Sequence, residues 1–242
     1  MTKSADELNR LRESGQIYGT EAGDLNRDIA SFHTAEIIKD KKLIGGKALQ
    51  LGLGDGYIAE KVCPYYEKLV VLEGSDKVIQ QFYNPKSGYA AIHTFFEDYQ
   101  EKGTYDVLLG NHILEHVEDP VAVLKQARKS LKPGAKAMFT VPNADSLHRR
   151  IGVAMGMLEK RNSLHGQDLL LGHRRVYTLS ELQKDVSEAG YKITESFGYI
   201  LKLVSNAQMK GWSKELLAAI YQTSRTVPPE ICSNIGVICE VF

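Results

Sequence analysis

The sequence predicts an α/β protein with a doubly wound, mostly parallel sheet. Short apolar runs alternate with helical segments of about ten residues, which is the pattern of βαβ units. The first of these runs, at 47–51, leads into three closely spaced glycines, Gly52, Gly54 and Gly56, at a strand-to-helix turn. Glycines in such a turn let a ligand lie against bare backbone. A chain of 242 residues can bury the core that this fold needs.

The predicted elements follow a regular order up to Pro142. Helical spacing of apolar residues and runs of β-branched residues give helices at 5–13, 28–39 and 57–62, and strands at 47–51, 68–73, 89–94, 105–110 and 135–141. Ser75 is a good N-cap for a helix after the second strand. Asp119 and Pro120 form a strong helix start, because Asp caps the helix and Pro fits its first position.

The regular alternation of predicted strands and helices ends after Pro142. A helix at 146–158 and a polar loop follow, and then Thr178 and Glu181 form a capping-box pattern that opens a helix ending at Ala189. A strand at 191–199, a helical stretch at 211–224 and a last strand at 235–242 complete the predictions. We therefore expect one domain over 1–242, with an N-terminal helical cap at 1–42 and an inserted, substrate-facing helical segment at 143–177.

The composition of the chain argues against some classes of binding partner. Thirty basic residues balance thirty acidic ones, so the chain lacks the basic surface that is typical of nucleic-acid and membrane binding. Its three cysteines form no CxxC pair, and no apolar run reaches the ~20 residues that span a bilayer. We expect a cytoplasmic protein that binds a small-molecule acceptor and neither nucleic acid nor membrane. Formation of a homodimer is left open as a possibility.

The glycine turn differs from the usual phosphate-binding loops. In G-x-G-x-x-G the third glycine comes one residue later than Gly56, and no Gly-Lys-Ser/Thr sequence follows as in a P-loop. Glu73 ends the second predicted strand, where an acidic residue can accept hydrogen bonds from both hydroxyls of a ribose. The turn therefore favours a nucleoside ligand bound without phosphate contacts.

Several motifs in order resemble class I S-adenosylmethionine-dependent methyltransferases. They are Gly52-x-Gly54-x-Gly56, Glu73, Tyr105-Asp106 with Leu114-Glu115-His116-Val117-x-Asp119-Pro120, Lys129-x-Leu131-Lys-Pro133-Gly134, and Tyr177-Thr178-x-x-Glu181-Leu182 with Ala189-Gly190-Tyr191. The resemblance covers roughly 45–200. It implies a Rossmann-like seven-stranded sheet with a reversed terminal strand, the cofactor S-adenosylmethionine and methyl transfer.

The resemblance also implies a cofactor site. Its predicted residues are Gly52, Gly54 and Gly56 at the methionine part, Glu73 and Gly74 at the ribose, Phe96 and Glu97 at the adenine, Asn111 near the sulfonium, and Tyr18 closing over the cofactor. For Tyr18 a plain surface position stays open. This chain departs from the family at Gln50, where the family usually has an acidic residue. An amide can form hydrogen bonds there but lacks the attraction of a charge for the cofactor's amino group.

Four histidines are candidates for the base that methyl transfer to a hydroxyl or ammonium needs. They are His112, His116, His148 and His173, of which His116 and His173 are favoured, and His116 could instead have a packing role. His112, Glu115 and His116 also spell H-x-x-E-H, but a Rossmann-like strand before them disfavours a metalloprotease. Some ubiquinone-pathway O-methyltransferases carry Glu-x-x-Glu-His here and are thought to bind a divalent cation. A similar triad is possible, although we expect no metal.

Two His-Arg-Arg triplets bracket the inserted segment. His148, Arg149 and Arg150 stand near its start, and Arg174 and Arg175 follow His173 near its end. Because arginine binds carboxylate and phosphate bidentately, these residues favour an anionic acceptor. Solvated or salt-bridged arginines are the alternative.

The sequence thus predicts methyl transfer to a small polar acceptor, with a sugar or nucleotide-sugar hydroxyl favoured over an amine. Methylation of tRNA or protein, a non-catalytic binding protein and another use of the same cofactor remain as alternatives.

Overall fold

Seven strands form one sheet in the part of the chain that the structure describes. This structure is a computed structural model, and it describes residues 33–242, so Tyr18 and the predicted helix at 5–13 lie outside it. The strands are Lys47–Leu51 (β1), Lys68–Glu73 (β2), Ala90–His93 (β3), Tyr105–Asn111 (β4), Leu131–Pro142 (β5), Lys192–Tyr199 (β6) and Asn234–Glu240 (β7). Their order is β3-β2-β1-β4-β5-β7-β6. Only β7 runs antiparallel to its neighbours, which confirms the predicted Rossmann-like sheet with a reversed terminal strand.

Three helices begin where the capping residues predict. The longer helices are 33–40 (α1), Tyr57–Val62 (α2), Asp76–Phe82 (α3), Pro120–Lys129 (α4), Leu147–Ala154 (α5), Gly166–Leu170 (α6), Leu179–Glu188 (α7) and Lys214–Ser224 (α8). The Ser75 side chain accepts a hydrogen bond from the start of α3, and Asp119 does so at α4. Thr178 and Glu181 form the complete capping box of α7. These bonds satisfy N–H groups that have no partner within their helices.

The core lies in two layers, one on each face of the sheet. Alternate strand residues point to opposite faces, so Leu49 packs in one layer and its neighbour Ala48 in the other. Helices α4 and α7 cover the first face, while α1, α2, α3 and α8 cover the second. This arrangement confirms the doubly wound architecture.

The two largest boundary errors, of four residues each, concern β5 and α5. Strand β5 begins at Leu131 and not at 135, because Leu131 already pairs with Tyr105. A register shift then carries the strand past Pro133 and Gly134, as a bulge does. Helix α5 ends at Ala154, four residues earlier than predicted, and Gly156 follows it in a left-handed conformation that is common after helix ends.

Hydropathy gives one further result for the described part of the chain. No helix within residues 33–242 is long and apolar enough to cross a membrane.

Candidate active site

A cleft of about 340 Å³ opens at the carboxyl edge of the sheet. In parallel sheets this edge is where ligands bind, because the loops that follow the strands meet there. The two ends of the cleft differ in composition. The glycine end is lined by Gln50, Gly52, Leu53, Gly54 and Asn111, and the histidine end is lined by Glu115, His116, His148, Asp168, His173 and Lys202.

The glycine end is formed mainly by the turn after β1. Gly52 and Gly54 both have positive φ angles, of 82° and 58°. A Cβ atom on residue 52 would clash with the Cδ1 atom of Ile113, so a larger residue there would require the Ile113 side chain to move. Gly56 does not line this cleft. It precedes α2 at φ 77°, and a Cβ there would lie 3.0 Å from the Phe82 carbonyl oxygen, so it allows close packing of the turn.

Glu73 supports the glycine turn from the end of β2. Its carboxylate accepts hydrogen bonds from the backbone N–H groups of Leu53 at 2.9 Å and Ser75 at 2.8 Å. Burial raises the pKa of Glu73 and these backbone bonds oppose the rise. A carboxylate fixed in this way keeps lone pairs for a ligand.

The predicted ribose and adenine residues lie beside this cleft and not in its wall. Gly74 follows Glu73 directly, and its carbonyl oxygen is 3.2 Å from the His93 ring. Phe96 and Glu97 belong to a short 3₁₀ helix, Phe96–Asp98, which follows β3. Strand β3 is the neighbour of β2, so these residues extend the glycine end along the same sheet edge.

Two buried polar groups at the glycine end have no hydrogen-bond partner within residues 33–242. The Gln50 side chain donates to the Gly52 carbonyl at 2.8 Å, while its own Oε1 is unpaired. The Asn111 oxygen accepts from Thr140, while its Nδ2 is unpaired. A buried group without a partner costs about 1–3 kcal/mol, so both groups indicate a polar ligand. An ammonium group fits the Gln50 oxygen, which agrees with the cofactor that the sequence predicts.

His112 has both ring nitrogens engaged, which is unlike a free base. Nδ1 lies 3.1 Å from the Glu115 carboxylate, and Nε2 lies 2.8 Å from the Tyr199 hydroxyl. Its backbone has a φ of 53°, which is uncommon for a residue with a side chain. In this position His112 orients Glu115.

Glu115 is fully buried, and one of its oxygens, Oε2, has no hydrogen-bond partner among the residues that the structure describes. Burial raises the pKa of this carboxyl, but the hydrogen bond from His112 and the charges of His112, His116 and His173 outweigh it and hold the pKa low. The histidine end therefore contains a buried carboxylate with an open coordination position.

His173 forms a pair with Asp168, which the sequence did not predict. Its Nδ1 lies 3.2 Å from the Asp168 carboxylate, and its ring meets the His116 ring edge-on at 4.7 Å. Burial opposes ionisation of Asp168, but hydrogen bonds from His173 and the His165 backbone, with the charges of His165 and Arg149, lower its pKa to about 2. A carboxylate on one ring nitrogen fixes the tautomer and orientation of the ring and leaves the other nitrogen free to accept a proton.

Glu115, His116 and His173 could together hold a metal ion. Each offers one ligand atom, and these atoms lie within 4.8 Å of one another. Nitrogen and carboxylate ligands suit divalent transition metals, and the Asp168 carboxylate on His173 is the usual support behind a histidine ligand. This set differs from the triad considered from the sequence, which was His112, Glu115 and His116, because His173 replaces His112.

Arg149 is buried and bonds within the protein. Its guanidinium donates to the carbonyl oxygens of Arg161 and Ser163 and to the Asp168 carboxylate at 3.3 Å. These contacts hold the later part of the inserted segment, residues 161–168, against α5. The predicted anion-binding role of Arg149 gains no support from them.

The other three predicted arginines also bond to backbone. Arg175 donates to the carbonyl oxygens of residues 114, 117 and 118, which brace the loop after β4. Arg174 donates to the His116 carbonyl at 3.1 Å, and Arg150 donates to the Asp145 carbonyl at 2.7 Å. Neither these two nor Arg175 lines the cleft. These contacts indicate a structural role for the arginine pairs.

The histidine end contains a lysine that sequence analysis missed. The Lys202 ammonium donates to the Asn206 side chain. Burial and the nearby Arg149 charge lower the pKa of Lys202 to about 8, against the opposing charge of Asp168. Lys202 comes soon after the predicted strand at 191–199, so its place at the carboxyl edge was a signal that could have revealed it.

Known proteins resemble this chain in sequence. A family profile for the methyltransferase domain matches residues 24–196. A ubiquinone biosynthesis O-methyltransferase from Idiomarina loihiensis is 28% identical over 119 residues, which are 46% of this chain and 48% of that protein. The chain thus spans about half the length of this relative.

Solved structures resemble the chain in fold. An S-adenosylmethionine-dependent methyltransferase from Thermotoga maritima has a TM-score of 0.65 at 15% identity, over 95% of this chain and 99% of that one. An N-methyltransferase from Bradyrhizobium japonicum in complex with S-adenosyl-L-homocysteine has a TM-score of 0.56 at 11% identity, over 97% and 96% of the two chains. At these identities the likeness concerns the fold alone.

Proposed function

The chain belongs to the class I S-adenosylmethionine-dependent methyltransferases, and from this premise we propose that it methylates a hydroxyl group of a small polar molecule, with His173 as the general base. One observation carries this proposal. The Asp168–His173 pair lines the same cleft as the glycine turn, so a base and a cofactor site face one shared space.

The chemistry asks two things of the protein. S-adenosylmethionine supplies an activated methyl group on a sulfonium, and its transfer is an in-line displacement. The chain must hold the acceptor oxygen in line with that group and remove its proton as the O–C bond forms and the S–C bond breaks. In our proposal His173 Nε2 takes this proton, while Asp168 holds Nδ1–H and stabilises the imidazolium.

Buried negative charge supports the same role for His173. The Glu115 carboxylate is fully buried beside His116 and His173. A buried carboxylate beside the ring would stabilise the positive charge that the imidazole gains when it takes the proton. His116 packs edge-on against His173 and limits the orientations that the ring can take.

A hydroxyl is preferred to an amine as the acceptor. The curated relative from Idiomarina loihiensis is named as an O-methyltransferase. The likeness to an N-methyltransferase concerns the fold alone and does not weigh against this preference. A sugar or nucleotide-sugar acceptor draws no support from these relatives, so the proposal is restricted to a small polar hydroxyl compound.

A second candidate is metal-assisted methyl transfer at the same cluster. The unpaired Glu115 Oε2 favours it, since this oxygen, His116 and His173 could bind one divalent ion. Such an ion would supply a Lewis acid that lowers the pKa of the acceptor hydroxyl. In this alternative His173 would act as a metal ligand and not as a base.

A radiolabel assay separates these candidates. Transfer of tritium from methyl-labelled S-adenosylmethionine is measured, with and without EDTA, against phenols, catechols, hydroxy acids, sugar phosphates and nucleotide sugars, and against small amines, tRNA and protein as competing acceptor classes. Transfer to a hydroxyl that EDTA leaves intact supports the base mechanism, and loss that added Mn²⁺ or Zn²⁺ restores supports the metal.

Three further results would contradict the proposal. Transfer to tRNA or protein alone would favour a macromolecular substrate, and transfer to amines alone would exclude the hydroxyl. A protein that binds S-adenosylmethionine and transfers to nothing would be a non-catalytic member of the fold.

A further inference from the structure

Lys202 and His148 form a polar corner of the cleft that the proposed base and the cofactor site do not use. We propose that this corner binds an anionic group of the acceptor, a carboxylate or a phosphate. The inference rests on the proposed function, because it concerns the molecule that receives the methyl group. It moves the anion site away from the arginine pairs and assigns it to residues that the sequence did not single out together.

The corner lies on the acceptor side of the cleft. Lys202 comes three residues after β6, and His148 lies in α5, which follows β5. In the strand order β1-β4-β5-β7-β6, the end of β6 is four strands from the glycine turn. At ~4.8 Å per strand the axes of β6 and β1 lie about 19 Å apart, so Lys202 follows a strand far along the sheet from the glycine turn.

The Lys202 ammonium has more N–H donors than its partner in residues 33–242 uses. An ammonium group has three N–H donors, and in residues 33–242 the structure gives it one hydrogen-bond partner, the Asn206 side-chain oxygen. The neighbouring cation, Arg149, is neutralised by Asp168 at 3.3 Å, whereas Lys202 forms no ion pair within those residues. The corner therefore carries a net positive charge that a small anion would complete.

His148 offers a second group for the same anion. Its Nδ1 is buried and has no hydrogen-bond partner within the described residues. Burial, and then the charges of Lys202 and Arg149, lower the pKa of His148 to about 3, so the ring is neutral at physiological pH. A neutral ring can donate one N–H, and an anion is the partner that the surrounding positive charge favours.

The charge state of Lys202 gives the site a characteristic pH dependence. The charged and ionisable groups around it are Arg149, Asp168 and His148, with His165 beside His148 and Asp168. The pKa of Asp168 is about 2 and that of His148 is about 3, so neither group changes its charge between pH 7 and 9.5. The pKa of Lys202 is about 8, so Lys202 loses its proton across this range and anion binding should weaken.

Sulfate is the probe for the first test, because its charge does not change between pH 6 and 10. Its binding to the full chain, saturated with S-adenosyl-L-homocysteine, is measured by titration calorimetry, with acetate as a carboxylate probe in parallel. We expect Lys202→Gln to weaken sulfate binding at least tenfold and Lys202→Arg to retain most of it. The matched control is Lys184→Gln on the exposed face of α7, which should bind sulfate like the wild type.

The pH arm uses the wild-type protein and needs no folded variant. Raising the pH from 7 to 9.5 should weaken sulfate binding about thirtyfold, as expected for deprotonation at about pH 8. Equal sulfate binding by wild type and Lys202→Gln, or binding that does not change with pH, would overturn the inference.

Cofactor binding distinguishes the failure of this inference from failure of the proposed function. If Lys202→Gln instead weakens S-adenosylmethionine binding, Lys202 contacts the cofactor and the inference is wrong. If the wild type binds S-adenosylmethionine but Lys202→Gln binds sulfate as tightly as the wild type does, the inference fails and the proposed function stands. If the wild type does not bind S-adenosylmethionine, the proposed function fails.

Discussion

The two ends of the cleft are built in opposite ways. The glycine end depends on backbone geometry within a few residues, where Gly52 and Gly54 adopt left-handed conformations and Glu73 accepts from the turn. The histidine end depends on side chains from distant segments, which meet through Asp168 and Glu115. One end is suited to hold a constant ligand, and the other can change its ligand by changing side chains. We therefore expect mutations at each end to affect different measurable quantities.

The largest effect is expected for His173→Ala. Removing a general base lowers turnover by about a thousandfold, within the range measured for such groups. The dissociation constant of S-adenosylmethionine should stay within about twofold of the wild-type value, because His173 lies at the other end of the cleft. Single-turnover methyl transfer and calorimetry measure the two quantities. A His173→Ala enzyme of normal turnover would remove His173 from the mechanism.

Arg149→Ala should show that this residue supports structure at the histidine end. The substitution leaves Asp168 buried with one counter-charge fewer and frees two carbonyl groups, so we expect about 3 kcal/mol lower free energy of unfolding. Urea denaturation measures this loss. Arg150→Ala is the matched control, since Arg150 is exposed and makes a single contact to the Asp145 carbonyl, and it should cost less than about 1 kcal/mol. Equal stability of the two variants would contradict the structural role of Arg149.

The smallest effect is expected for Gln50→Glu at the glycine end. A carboxylate in place of the unpaired Gln50 Oε1 would attract the ammonium group of the cofactor. It would also lose the hydrogen bond from Gln50 to the Gly52 carbonyl, so the net gain is modest. We expect S-adenosylmethionine to bind about threefold more tightly, with the acceptor's KM unchanged. Weaker binding would show that the amide serves the turn and not the cofactor.

The same contrast explains what the sequence could predict. The N-caps at Ser75 and Asp119 and the capping box at Thr178 join residues three apart, so local spacing reveals them. The glycine turn is equally local. By contrast, β5 begins early because Leu131 pairs with Tyr105, which is a partner in another strand.

The histidine end was only half predictable for the same reason. Its histidines were identified one by one, but their partners depend on tertiary contacts. His173 packs on His116, 57 residues away, and the Arg149 side chain turns inward to Asp168. No spacing rule could show that the arginines would bond to backbone, or that Lys202 would lie near His148. Only the position of Lys202 near a strand end hinted at its place.

Equilibrium binding of S-adenosylmethionine to three proteins tests the account most directly, because it needs no knowledge of the acceptor. Titration calorimetry compares the wild type, Glu73→Gln and His173→Ala, with thermal melting as the check on folding. We expect micromolar binding by the wild type, binding about thirtyfold weaker for Glu73→Gln because a charged acceptor is lost, and wild-type binding for His173→Ala. No binding by the wild type below millimolar concentration, or equal losses in the two variants, would contradict the division of the cleft.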